Sequence, residues 1–130
     1  MDAIACNVQE KDKYIIPIID AKRGQVYTAI YRRKAGGVKR LSDYMVLPVA
    51  KLLKKIKRGS VFLGDGVSLY RKNILSADKK AVFLDEQYWY PGAGNIIKLG
   101  FSRIKKAKKP GLDKLTPLYL YPDDCQVRKP

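Results

Sequence analysis

The sequence predicts a mixed α/β domain: an antiparallel three-stranded meander, then helix, strand, helix, strand, helix. Three observations carry this. Residues 15–31, IIPIIDAKRGQVYTAIY, set two β-branched and aromatic runs around a short glycine-bearing break, which reads as a hairpin. After Pro48 the apolar spacing becomes helical: Val49, Leu52, Leu53 and Ile56 share one face, while Lys51, Lys54, Lys55 and Lys57 share the other. Finally, the short apolar runs at 60–63 and 81–84 are separated by helical segments, and lone strands so separated pair in parallel through crossovers. The sum is a mixed sheet with helices packed on it.

A length of 130 residues fits one domain able to bury a core without disulfides or metal. Twenty-seven Lys and Arg against 12 acids give a net charge of +15. Such a chain either binds polyanions or carries a lysine-rich surface for solubility. The scatter of the charge along the sequence favours the second reading. Two cysteines, Cys6 and Cys125, are too few for a disulfide framework or a zinc cage and fit a reduced, cytoplasmic setting. No apolar run approaches membrane-spanning length, and residues 1–11 do not read as a signal peptide. Histidine is absent, which removes Ser-His and Cys-His pairs, imidazole acid–base chemistry and His metal sites.

Taken in order, Ile4, Ala5 and Val8 have helical spacing in a segment too short to stand alone, which reads as the tail of a longer helix. Residues 9–13 are a charged connector. The first strand is apolar on both faces, as in a strand covered on both sides. Pro17 within it must sit where no ladder N–H is needed, or at a bulge. The second strand runs over 26–31, residues 32–37 form a basic turn, and the third strand runs over 38–47. Pro48 opens a helix that Arg58-Gly59 closes. The strand at 60–63 runs directly into Gly64-Asp65-Gly66 and a helix over 67–75. That layout can seat phosphate on a helix N-terminus. It is also a tight turn, the preferred reading, because Asp65 repels phosphate unless a cation intervenes. After an acidic-aromatic loop at 85–90, the last helix spans 92–106. Ala93, Ile96, Ile97, Gly100, Phe101 and Ile104 are expected to face inward, Gly100 marking a close approach. Lys105, Lys106, Lys108 and Lys109 form a basic exit that the helix dipole explains in part. Residues 115–120 are a short extended piece. Asp123 and Asp124 adjoin in the polar end and read as solvated, not catalytic.

A strand ending in Asp-Ala-Arg-Arg, followed closely by Val-Tyr, is similar to the middle of the TsaB (YeaZ) family. Here it stands as Asp20-Ala21-Lys22-Arg23, then Val26-Tyr27. Lys22 keeps the charge of the usual arginine and loses its planar fork. The family places Gly-Asp-Gly after a short strand, as at Gly64, Asp65 and Gly66, and a proline-initiated helix, as from Pro91. It ends in Pro-Val/Leu-Tyr-Leu-Arg, as at Pro117-Leu118-Tyr119-Leu120, with Tyr121 where arginine is usual. The resemblance covers essentially the whole chain and rests on the order and spacing of these pieces. It implies a ribonuclease-H-like half of the actin/Hsp70 superfamily over 14–122. The end of an interdomain helix and a connector would precede it (1–13), and a polar tail would follow (123–130). Family members open with a strand and a Gly-Pro-Gly-Ser-Phe-Thr-Gly segment, so this chain resembles the second half alone.

The resemblance further implies a cytoplasmic, non-catalytic subunit supporting threonylcarbamoyladenosine formation beside the tRNA anticodon. A TsaD-like transferase would hold the metal and a TsaE-like ATPase would assist. It implies no cofactor, metal or catalytic residue here, so Asp20, Lys22, Arg23, Tyr27, Gly64, Asp65, Gly66, Pro117 and Tyr119 are structural or interaction positions. Nucleotide binding by this chain alone is not expected. tRNA would be met indirectly and no membrane is involved. An apolar surface that the family's other half covers could pair two copies. Two rivals stand beside this reading. One is a basic RNA-binding domain without enzymatic activity, stacking bases on Tyr27, Tyr31, Tyr88, Trp89 and Tyr90. The other is a protease, because the family was once grouped with glycoproteases; the lack of histidine and of a metal ligand set speaks against it.

Overall fold

The computed structural model describes residues 1–106 and 116–120. Cys125, Asp123, Asp124, Tyr121, Leu115 and the basic exit beyond Lys106 lie outside the described residues. The elements follow one another in the expected order. Helix α1 (Asp2–Ala5) precedes strand β1 (Tyr14–Asp20). Strands β2 (Gln25–Thr28), β3 (Tyr31–Lys34), β4 (Gly37–Arg40) and β5 (Met45–Pro48) build the meander. Helix α2 (Val49–Leu53), strand β6 (Val61–Leu63), helix α3 (Gly66–Ala77), strand β7 (Val82–Phe83) and helix α4 (Ala93–Lys106) complete the chain. β6 pairs in parallel with β1, and β7 in parallel with β6.

The second strand is longer than expected and interrupted. β2 and β3 face β1 in one continuous register: Asp20 opposite Val26, Ile18 opposite Thr28, Ile15 opposite Tyr31, Tyr14 opposite Arg32. Only Ala29 and Ile30 leave the ladder, and that register sets them across from Pro17 and Ile16. Proline has no N–H to give, so the ladder lapses there and resumes on either side. The expected turn at 32–37 is accordingly corrected: Arg32, Arg33 and Lys34 are strand, and the turn is confined to Ala35-Gly36.

The third strand is also split, into β4 and β5. Tyr31 opposes Arg40 and Thr28 opposes Met45, so three steps on one strand match five on the other. The two extra residues bulge out within Leu41 to Tyr44. There the Ile30 N–H donates to Ser42 Oγ at 2.9 Å, a side chain standing in for a backbone acceptor.

Side chains alternate across the sheet and give two cores. Ile15, Ala29, Tyr31, Val61 and Leu63 pack with Ile4, Ala5 and Val8 on the α1 side. Ile16, Ile18, Val26 and Phe62 pack with Leu52, Val67 and Ile74 on the α2–α3 side. Each fully buried isoleucine of β1 contributes about 2–3 kcal/mol of transfer free energy, which makes this strand the hub of both cores.

Two helices differ from expectation. α2 stops at Leu53, so Arg58-Gly59 follows an irregular turn, with Gly59 at φ +71°, and does not cap the helix. The larger correction is α4. Ile96, Ile97, Phe101 and Ile104 are 53–63% exposed, although the pattern directs them inward. α4 is held by its polar side: Asn95 donates to Ala3 O and to Asn7 Oδ1, and Arg103 pairs with Asp2. Gly100 meets nothing within 4 Å, so no close approach explains it. Residues 116–120 form no strand. Among the described residues no helix is long and apolar enough to cross a membrane.

Candidate functional site

Because β1 and β6 are parallel neighbours, their ends lie together. The fold therefore brings the two sequence motifs, 44 positions apart at Asp20 and Gly64, to one corner. At the end of β1 the chain reverses through Lys22, Arg23 and Gly24, with φ of 62°, 53° and 72°. Left-handed backbone costs a non-glycine residue roughly 1–2 kcal/mol. Several bonds hold it: Asp20 Oδ1 accepts the Lys22 N–H at 2.9 Å, Gln25 N–H donates to Lys22 O at 2.9 Å, and Ala21 N–H donates to Gln25 O at 3.0 Å. The Lys22 ammonium reaches back to Asp20 Oδ2 at 2.7 Å. Its hydrogen bond holds the Asp20 carboxyl below the usual carboxylate range, and the same contact raises Lys22. Arg23 forms no ion pair among the described residues.

Gly64-Asp65-Gly66 meets the other side of the corner. A Cβ on Gly64, at φ +107°, would sit 2.4 Å from Ile18 O, and one on Gly66 would sit 3.0 Å from the same oxygen. These glycines let the start of α3 lie against the backbone of β1. Asp65 precedes α3 but makes no side-chain cap on it. Its Oδ1 accepts the Asp20 N–H at 3.0 Å instead, tying the helix start to the strand end. Both carboxylates are thus engaged with this chain's own donors. No cluster of three metal-ligating side chains occurs among the described residues.

Tyr27 belongs to the same hairpin, half-buried in β2 between Ile19 and Val46. Pro117 and Tyr119 do not join it: they lie in 116–120, where Tyr119 is 80% exposed, and nothing among the described residues links them to the corner. Of the proposed stacking aromatics, Tyr88 and Tyr90 are exposed. Tyr31 is buried, and the Trp89 indole N–H donates to Leu84 O at 2.9 Å.

Sequence reasoning missed a second polar centre. The Asp2 carboxylate accepts the hydroxyls of Tyr31 and Tyr44, each at 2.7 Å, and pairs with Arg103. Arg40 stacks on the Tyr44 ring at 3.9 Å. Burial alone pushes the Asp2 carboxyl up; the two hydroxyls and Arg103 outweigh it and leave it below its ordinary value. Beside it, Asn7 donates to Tyr88 O and Tyr90 O at 2.7 and 2.8 Å, locking the aromatic loop to α1. Clefts of about 480 and 370 Å³ flank α4 here, the larger lined by Cys6, Arg33, Lys98 and Ser102, the smaller by Met1, Ala3 and Gly100. An acid in a helix's first turn was visible in the sequence, but its tyrosine and arginine partners, 29 to 101 positions away, carried no local signal.

No family model matches the sequence. A tRNA threonylcarbamoyladenosine biosynthesis protein TsaB from Bacillus subtilis (strain 168) is 35% identical over 77 residues, covering 57% of this chain and 34% of that protein. The TsaB protein of Buchnera aphidicola subsp. Schizaphis graminum is 31% identical over 103 residues, covering 75% and 46%. The chain spans between a third and a half of the length of these curated relatives. Among solved structures, a Pseudomonas aeruginosa protein described as similar to peptidase YEAZ superposes with a TM-score of 0.66 at 19% identity, over 92% of this chain and 56% of the other. YeaZ from Pseudomonas aeruginosa gives 0.53 at 20% identity, over 81% and 50%. At these identities the structural likeness concerns the fold.

Proposed function

Since the chain belongs to the TsaB (YeaZ) family, we propose that it is a non-catalytic subunit supporting threonylcarbamoyladenosine formation in tRNA. The similarity to a curated TsaB protein across three-quarters of the chain carries this reading. The sheet supports placing residues 14–122 as a ribonuclease-H-like half of the actin/Hsp70 superfamily: a meander whose first strand continues in parallel to β6 and β7, with helices between. Residues 1–13 then belong to the helix and connector between halves.

The corner supports a structural role for the family motif. Its glycines are accounted for by contact with Ile18, and its carboxylates by Lys22 and the Asp20 N–H. Chemistry then falls to a TsaD-like transferase, aided by a TsaE-like ATPase, in the cytoplasm. The exposed apolar side of α4 favours work inside an assembly, including a pair of identical copies.

The test is depletion of the chain from its own cells, with mass spectrometry of nucleosides from bulk tRNA. Threonylcarbamoyladenosine should fall and return when the gene is restored. An unchanged level after depletion overturns the proposal.

A further inference from the structure

We propose that the sheet edge at which β1, β6 and β7 begin is a docking surface for an RNA phosphate backbone. The cations are scattered in sequence, but the topology gathers them. Because the three strands are parallel, the segments entering them emerge side by side. Lys11 and Lys13 precede β1, Lys57 and Arg58 precede β6, and Lys79 and Lys80 precede β7. β3 runs antiparallel to β1 and delivers Lys34 to the same edge. All of these side chains are exposed. The register of Ile15 with Val61, and of Val61 with Val82, aligns Lys13, Gly59 and Lys80 in one row. At a strand spacing of ~4.8 Å, four strands make that row about 15 Å wide.

Little negative charge opposes the row. Asp12 pairs with Arg32 at 3.4 Å, and buried Asp78 accepts the Gly59 and Lys80 N–H groups at 2.6 and 2.9 Å, leaving Glu10. The acids instead stand at the other ends of the same strands, at Asp20, Asp65, Asp85 and Glu86. Lys22 and Arg23 share that end with the acids, so the unopposed positive charge lies at the end where the parallel strands begin. The α3 dipole favours Lys79 and Lys80 only in part, because both lie beyond the end of the helix at Ala77. It does not account for Lys11, Lys13 and Lys34, which enter or leave strands. A cleft of about 360 Å³ lined by Arg58, Ser76, Ala77, Asp78, Lys79 and Lys80 opens at this edge; the Asp78 carboxylate in its wall is buried and held by the Gly59 and Lys80 N–H groups, and the three cations are exposed at its rim.

A lysine-dominated row of this kind tracks phosphates and does not read bases. The choice of RNA among polyanions rests on the proposed role in tRNA modification. The test is fluorescence anisotropy of the full chain with an end-labelled tRNA transcript across a salt series. A Lys13→Gln/Arg58→Gln/Lys80→Gln variant is compared with Lys51→Gln/Lys72→Gln/Lys105→Gln, which removes equal charge from exposed positions elsewhere. The edge variant should bind at least tenfold more weakly, with a log–log salt slope shallower by about two, and the control within threefold of the parent. Equal losses in both variants, or no tRNA binding by the parent at low salt, overturn the proposal. So does capture of the parent by phosphatidylserine vesicles without tRNA binding. The readout needs no modification activity: a mapped edge with unchanged threonylcarbamoyladenosine after depletion would sink the family role alone, and the reverse result would sink the edge alone.

Discussion

Replacing Gly64 by alanine tests the claim that the Gly-Asp-Gly loop is a packing device. The new Cβ would stand 2.4 Å from Ile18 O and 3.1 Å from its carbonyl carbon, and φ is +107°. The obstacle is backbone in the middle of β1, which pairs on both edges and cannot retreat without disturbing β6 or β2. The backbone conformation costs about 1–3 kcal/mol and the forced shift about 1–3 kcal/mol, so a loss of about 4 kcal/mol is expected. With a urea m-value of about 2 kcal/mol per molar, the midpoint should drop by about 2 M. Gly100→Ala is the internal contrast. It lies inside α4 with nothing within 4 Å, so it should raise stability by about 0.5–1 kcal/mol. A Gly64→Ala midpoint within about 0.5 M of the parent would refute the reasoning. It would mean that the loop is not pressed against β1 and that its glycines await another explanation.

Three further outcomes follow from α1 and α4. Asp2→Ala leaves the buried Tyr31 hydroxyl without its acceptor and should cost about 1–3 kcal/mol in urea unfolding. The folded Asp2 carboxyl lies below its ordinary 3.8, so its stabilisation is complete above that value and is lost as pH falls through the depressed one. The parent's melting temperature should thus fall more steeply than that of Asp2→Asn below about pH 4, and parallel curves would contradict the Asp2 geometry. Phe101→Glu should change stability by less than about 1 kcal/mol, because its ring faces solvent, and should lower self-association in light scattering. Unfolding of this variant would show that the ring is covered.

The polar bonds at the corner explain why its motif was legible as a unit without its geometry being so. Asp20 and Gly24 announce a turn because their residue types suit side-chain-bonded and left-handed backbone, whereas nothing in the residue types of Lys22 and Arg23 announces that they are left-handed as well. That Asp65 would bind the Asp20 N–H follows only once β6 lies parallel to β1. Pro17 likewise signalled a fault in the ladder, but which partner strand would lapse depended on the register.

Local pattern determined the elements: alternation and β-branching made the strands, Pro48 and Pro91 preceded helices, and glycine placed the turns. These choices involve neighbours a few positions apart, and their energies are written in the residues themselves. Tertiary structure decided what lies between elements. α4 has the apolar stripe of a buried helix, yet Asn95 and Arg103 bind Ala3, Asn7 and Asp2 and turn that stripe to solvent. Hydrophobic patterning says which residues gain from burial but not against what, and here the fixed donors and acceptors of α1 chose the opposite side. The same holds for charge: the sequence set its sign and amount, and the parallel alignment of β1, β6 and β7 gathered scattered cations at the end where these strands begin.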